Sequence, residues 1–118
     1  MPVQRWALVE ATLDPVEWSE QGGTRPVLVV SNNEFNRAIP NATVLPLTTT
    51  QRRLYPSEVA LHRGVAGQPQ DSIVMAHQIR TISQRRLGRQ LGLLIDPELR
   101  RAVQLAITEH LDLGETAP

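Results

Sequence analysis

Residues 19–31, Ser-Glu-Gln-Gly-Gly-Thr-Arg-Pro-Val-Leu-Val-Val-Ser, constrain the chain more than any other stretch. The first half is polar and carries two glycines. The second half is a short apolar run. Val27 to Val30 offers no polar face, so it reads as a strand covered on both sides. Gly22 and Gly23 can adopt positive φ and let a ligand approach the backbone. Arg25 precedes Pro26, and a residue before proline is pushed into extended conformations. One arginine therefore stands where a flexible loop meets a rigid strand. A charge that must meet a phosphate or carboxylate accurately is well placed there.

A doubly covered strand requires a core, and 118 residues are enough to build one. At this size a single domain over 1–118 buries roughly two-thirds of its unfolded surface without help from a metal or disulfide. The chain has no cysteine, which excludes a disulfide framework and thiolate chemistry. No apolar run approaches the ~20 residues of a membrane span, and the N-terminus lacks a signal-peptide pattern. The expectation is a soluble cytoplasmic protein with no membrane partner. The 12 basic and 12 acidic residues cancel, so net charge does not announce nucleic-acid binding. Every basic residue is arginine, the better fork for phosphate.

The remaining pattern is a series of short strands. Arg5–Leu13 reads as the first, with Trp6 and Leu8 on one face, and about Pro26–Ser31 as the second. A helical turn is expected around Glu34 to Arg37. Thr43–Leu47 is the third strand, ending in Thr48-Thr49-Thr50. Pro46 inside it predicts a bulge or an edge position. Ser57–Leu61 alternates as a fourth. Ser72–Met75 and Gln78–Ile82 flank Ala76-His77. One helical turn is expected at Ser83–Arg86, then a strand or loop over Gly88–Leu94. A helix begins after Asp96, with Pro97 at its first position and Glu98 at the positive end of its dipole. Leu99, Ala102, Val103, Ala106, Ile107, His110 and Leu111 form its apolar stripe, and Gly114 ends it. Residues 114–118 read as a loose tail. This is a mainly β, α+β pattern: a small, strongly bent sheet with a helix packed on it.

Three places gather reactive side chains: Ser19-Glu20-Gln21 with Arg25, Thr48-Thr49-Thr50 followed by Arg52 and Arg53, and His77-Gln78. Each also has a plainer reading: a glycine loop with a surface arginine, strand-end threonines, solvated arginines and a structural histidine. His62, His77 and His110 lack metal-ligand spacing. No Gly-x-Ser-x-Gly elbow, phosphate loop or dinucleotide fingerprint occurs.

The segments 19–31, Asn36-Arg37, Val44-Leu45-Pro46-Leu47-Thr48 and Gln78-Ile79-Arg80-Thr81-Ile82 together resemble the MazF/PemK family of toxin endoribonucleases, in register from about residue 5 to residue 113. The resemblance implies a small SH3-like β-barrel of the CcdB/MazF/PemK type, with short helices and a C-terminal α-helix, usually a homodimer. It implies metal-independent cleavage of single-stranded RNA, no cofactor, and a MazE-like cognate antitoxin covering the RNA groove. The family's usual catalytic pair matches Arg25 and Thr48. Such chemistry uses the RNA's own 2′-hydroxyl to attack the adjacent phosphorus. An arginine fork suits the charge that develops on the non-bridging oxygens. Arg25 is unsuited to be a general base, because a guanidinium stays protonated and has no acceptor, so another group or water moves the proton. By the same resemblance Trp18, Ser19, Glu20, Gln21, Gly22, Thr49, Arg52, Tyr55 and Gln78 are candidate RNA contacts, Trp18 and Tyr55 as stacking faces. The chain departs from relatives twice. Arg5-Trp6-Ala7 replaces an Arg-Gly-Asp or Arg-Gly-Glu start. His77 stands where many relatives carry Asp or Glu, which makes it a candidate for proton transfer or for binding a base. A gyrase-binding toxin of the same fold and an inactive antitoxin-binding homologue are the alternatives.

Overall fold

The computed structural model describes residues 2–14 and 22–114. Seven strands and two helices follow in order: β1 (Ala7–Thr12), β2 (Thr24–Val29), α1 (Asn33–Ala38), β3 (Asn41–Thr48), β4 (Glu58–Leu61), β5 (Ser72–Met75), β6 (Arg80–Ser83), β7 (Leu87–Leu93) and α2 (Pro97–Leu111). All pairings are antiparallel, and the sheet runs β4-β5-β3-β2-β1-β7, with β6 also pairing β3. The mainly β, α+β architecture is the one expected.

β3 is the hub. One edge pairs with β2. Its other edge pairs with β6 over Asn41–Val44 and with β5 at Leu47 and Thr48. Pro46 therefore lies in an interior strand, not at a bulge or a sheet edge. The Val30 N–H donates to the Thr43 carbonyl (2.9 Å), so odd-numbered β3 residues turn their peptides toward β2 and even-numbered ones turn away. Pro46 faces the second edge, in the gap between the β6 and β5 pairings. Its missing N–H falls where no partner strand needs it.

The sheet has two apolar faces. On one, Leu8, Leu28, Leu45 and Leu47 meet Leu61, Val74 and the α2 residues Val103 and Ala106. On the other, Ala7, Val9, Ala11, Val27, Val29, Ala42, Val44 and Ile82 cluster with Leu87 and Leu93, and with Leu13 and Val3 from the segments flanking β1. A core lined almost wholly by strands is closed off by curling the sheet on itself. Register shifts between β1 and β7 at Leu8/Val9 and Val9/Ala11 supply part of that bend. Val27, Leu28 and Val29 are all fully buried, as a strand covered on both sides must be. Each contributes roughly 1.5–3 kcal/mol of burial.

The helix ends show what the sequence did and did not specify. The Asp96 carboxylate caps α2, accepting from the Glu98 N–H at 2.9 Å. The C-terminus closes at Asp112, in the left-handed region at φ 53°, rather than at Gly114, because the chain turns as soon as the buried stripe runs out. His110 and Leu111, expected on that stripe, are exposed at its C-terminal end. The first strand starts at Ala7, since Trp6 takes φ 73° in a turn. Gln78 lies in a 3-10 turn (Ala76–Gln78) and not in β6. The second turn, expected over Ser83–Arg86, spans Gln84–Arg86. Of the expected loose tail, 115–118 lie outside the described residues.

Candidate active site

Arg25 sits near the start of β2, opposite Ala11 of β1. The β2–β3 register pairs Val27 with Pro46. One step further places Pro26 opposite Leu47, whose carbonyl points toward β2. Pro26 has no N–H to give it. The Arg25 guanidinium supplies the donor instead: Nη1 bonds the Leu47 carbonyl at 3.1 Å, and Nε bonds the Gly22 carbonyl at 2.9 Å. Arg25-Pro26 thus acts as one device, in which the proline leaves an acceptor open and the arginine folds back onto it. Gly23, at φ 72°, makes the turn that brings the Gly22 carbonyl inward. Two of the five guanidinium donors are used, leaving the rest of the fork for an anion.

The next step of the register places Arg25 opposite Thr48, and opposite residues share a face of the sheet. Thr48 is half-buried, and its Oγ1 accepts from the Thr50 N–H at 3.2 Å, which orients the hydroxyl at the strand end. The guanidinium is thus anchored on the carbonyl of the residue before Thr48, on the sheet face that carries Val27 and Val44.

A second cluster lies on the same face. Thr48 pairs with Ile73 of β5, and two residues along β5 Met75 pairs with Glu58 of β4. The Glu58 carboxylate, fully excluded from solvent, takes both arms of the Arg52 guanidinium at 2.6 Å and the Tyr55 N–H at 2.8 Å. The hydrogen bond from Arg52 holds this carboxyl below the usual carboxylate range, against the opposing effect of burial, and the same bond raises Arg52. His77 Nδ1 stands 3.8 Å from Glu58 Oε2. Its ring meets Tyr55 edge-on (6.1 Å) and His110 at 6.4 Å.

The candidates thus fall into two groups. Arg25 is bonded to Gly22 and to Leu47, the residue before Thr48, with exposed Thr49 next in the chain. Arg52, Tyr55 and His77 gather around Glu58, with half-buried Gln78 in the same turn as His77. Among the described residues, His77 has no hydrogen bond or ion pair to Arg25 or Thr48. Trp18, Ser19, Glu20 and Gln21 lie outside the described residues. Glu58 carries no sequence signal, because a glutamate in an alternating strand reads as solvent-facing and nothing local shows that Arg52 folds over it. Among the described residues, no group of three or more His, Asp or Glu could hold a metal ion. No helix there is long and apolar enough to cross a membrane.

A curled β-sheet with one flanking helix, carrying a guanidinium anchored on a strand-end carbonyl, defines a small mainly β domain. The chain belongs to the PemK-like, MazF-like toxin family of type II toxin–antitoxin systems, whose model matches residues 4–111. It is 39% identical to "Endoribonuclease EndoA" of Bacillus subtilis, over 96% of this chain and 97% of that one. A mycobacterial endoribonuclease solved in complex with its cognate antitoxin superposes with a TM-score of 0.79 at 29% identity, covering 97% of this chain and 99% of that one. MazF from Deinococcus radiodurans gives a TM-score of 0.80 at 28% identity, over 95% and 98%.

Proposed function

We propose that this toxin is an endoribonuclease cutting single-stranded RNA, mRNA included, at a short sequence without a metal ion. The 2′-oxygen attacks the adjacent phosphorus, the bond from phosphorus to the 5′-oxygen breaks, and the products carry 2′,3′-cyclic phosphate and 5′-hydroxyl ends. The 2′-hydroxyl proton passes to a base or water, and the leaving 5′-oxygen gains one. Arg25 stabilises charge on the non-bridging oxygens, and Thr48 donates to the same group or orients the 2′-hydroxyl. The observation that carries this reading is the Arg25 guanidinium anchored on the Leu47 carbonyl, one residue from Thr48. His77, set among Tyr55, Glu58 and His110, fits base binding better than proton transfer at that phosphate.

The resemblance adds partners to the same proposal: a second copy of the chain, a MazE-like antitoxin covering the RNA site, and residence in the cytoplasm. The test is a long RNA incubated with purified protein in EDTA, with the cut ends mapped. Cuts at a recurring short sequence with those end groups are expected. Arg25→Ala and Thr48→Ala should each slow cutting by roughly 10²–10³-fold, the scale of losing one transition-state donor. Either variant cutting at the wild-type rate would refute its assigned role. RNA left intact by the wild type would replace this reading with a gyrase-binding toxin or an inactive homologue.

A further inference from the structure

Glu58 is the buried carboxylate among the described residues, and no step of the proposed reaction uses it. It stands at the start of β4, where the loop of residues 49–57 rejoins the sheet. Its two oxygens organise that loop. Oε1 accepts from Arg52 Nη1 and from the Tyr55 N–H, and Oε2 accepts from Arg52 Nη2. The Glu58 N–H returns a bond to the Tyr55 carbonyl at 3.0 Å. Tyr55 is therefore gripped at both of its peptide groups, yet the residue is 59% exposed. The Arg52 guanidinium also donates to the Arg53 carbonyl and lies 4.9 Å from the centre of the Tyr55 ring.

We propose that Glu58 is a positioning residue for RNA binding. It clamps the loop through Arg52 and the Tyr55 backbone, so that Arg52 is a strut rather than a phosphate ligand and the Tyr55 ring is held open for a base. The proposal rests on the endoribonuclease reading. Three of the five Arg52 donors are spent on Glu58 and on the Arg53 carbonyl, so the bidentate face that would fit a phosphate is already taken. Drawing Arg52 away would leave a buried carboxylate without its cation, which is strongly unfavourable. A ring on a fixed backbone loses little freedom when a base stacks on it, and stacking tolerates any base. His77 meets the Tyr55 ring edge-on and stands 3.8 Å from Glu58, which ties it to the same clamp.

Strut and ligand predict opposite signs for one substitution. If Arg52 were a phosphate ligand, Glu58→Gln would release it and tighten RNA binding. As a strut, Arg52 is lost with its anchor, and binding weakens. The probe is a fluorescent oligonucleotide spanning the mapped cut site, with a 2′-deoxy sugar at the cut nucleotide to block the reaction. Binding is read at several salt concentrations, and KM and kcat are measured on the all-ribose version.

Glu58→Gln is expected to weaken binding and raise KM about tenfold, the size of one lost charge-assisted bond. Its kcat should stay within about threefold, and the slope of log K against log salt should not change. Arg52→Lys, which keeps the charge opposite Glu58 but loses the fork, should behave alike and decides the matter if Glu58→Gln does not fold. Tighter or unchanged binding by Glu58→Gln overturns the proposal. So does Arg52→Gln lowering the salt slope by about 0.7, the loss of one phosphate contact on a single strand. A wild type that cuts RNA while Glu58→Gln binds equally well overturns this proposal alone. A wild type that neither cuts nor binds RNA overturns the endoribonuclease reading with it.

Discussion

Trp6 should reverse the usual ranking of alanine and glycine. It is 6% exposed and packs into the core beneath α2, with the guanidinium carbons of Arg5 and Arg100 4.9 and 5.4 Å from its ring. It does so at φ 73°, where a side chain is strained. Replacing it by alanine removes the indole, at about 3–5 kcal/mol for a buried aromatic, and keeps a Cβ in the left-handed region. Replacing it by glycine removes the same indole and the same cation–π contacts, and frees the backbone. The side-chain losses cancel between the two variants, so their difference reports the backbone alone. Left-handed geometry costs a non-glycine residue roughly 1–2 kcal/mol, and glycine gives back about 0.5–1 kcal/mol through the entropy of the unfolded chain. Trp6→Gly should therefore be more stable than Trp6→Ala by about 0.5–1 kcal/mol, or roughly 3 °C in Tm for a chain of this size. Urea and thermal unfolding at matched protein concentration measure it. Trp6→Ala equal to or more stable than Trp6→Gly would refute the reasoning. The position is the one where the resemblance puts a glycine, and here a buried tryptophan makes a left-handed turn.

Pro26→Ala restores an N–H facing the Leu47 carbonyl. It should leave stability within about 1 kcal/mol of wild type, because a new ladder bond offsets the lost proline rigidity. RNA cutting should fall about tenfold as the Arg25 anchor is contested; an unchanged rate would separate the proline from arginine placement. Glu58 titrates below its unfolded value, so its contribution to stability is complete above the unfolded carboxylate pKa near 4.5 and is lost as pH falls through the lower folded value. Urea midpoints between pH 6 and 3 should therefore fall less steeply in Glu58→Gln than in wild type, and equal slopes would count against the ion pair. Asp112→Gly removes a left-handed non-glycine residue and a negative charge from the C-terminus of α2, and should raise stability by about 1 kcal/mol in thermal unfolding.

Much of the site was legible because its parts are encoded locally. The apolar run 27–30 specifies a doubly covered strand from its own composition. Asp96-Pro97 starts a helix wherever it is placed. Arg25-Pro26 carries both halves of the anchor in adjacent residues, and the threonine at the end of β3 follows from register once β2 and β3 pair. The second cluster was not legible. Arg52 lies six positions before Glu58, in a loop with no periodicity, and their pairing depends on how that loop closes onto β4.

The sequence alone determined most of the strands, β2 and β3 among them, where α2 begins, and that a guanidinium would stand at the mouth of β2. Those outcomes follow from the order of neighbouring residues. Tertiary structure decided that β3 would be interior with a proline in it, that a tryptophan would accept a strained backbone, and that a strand glutamate would be buried under an arginine. Each of these is a choice between local preference and packing. Burial and pairing with distant residues outweigh the one or two kcal/mol that local geometry puts against them.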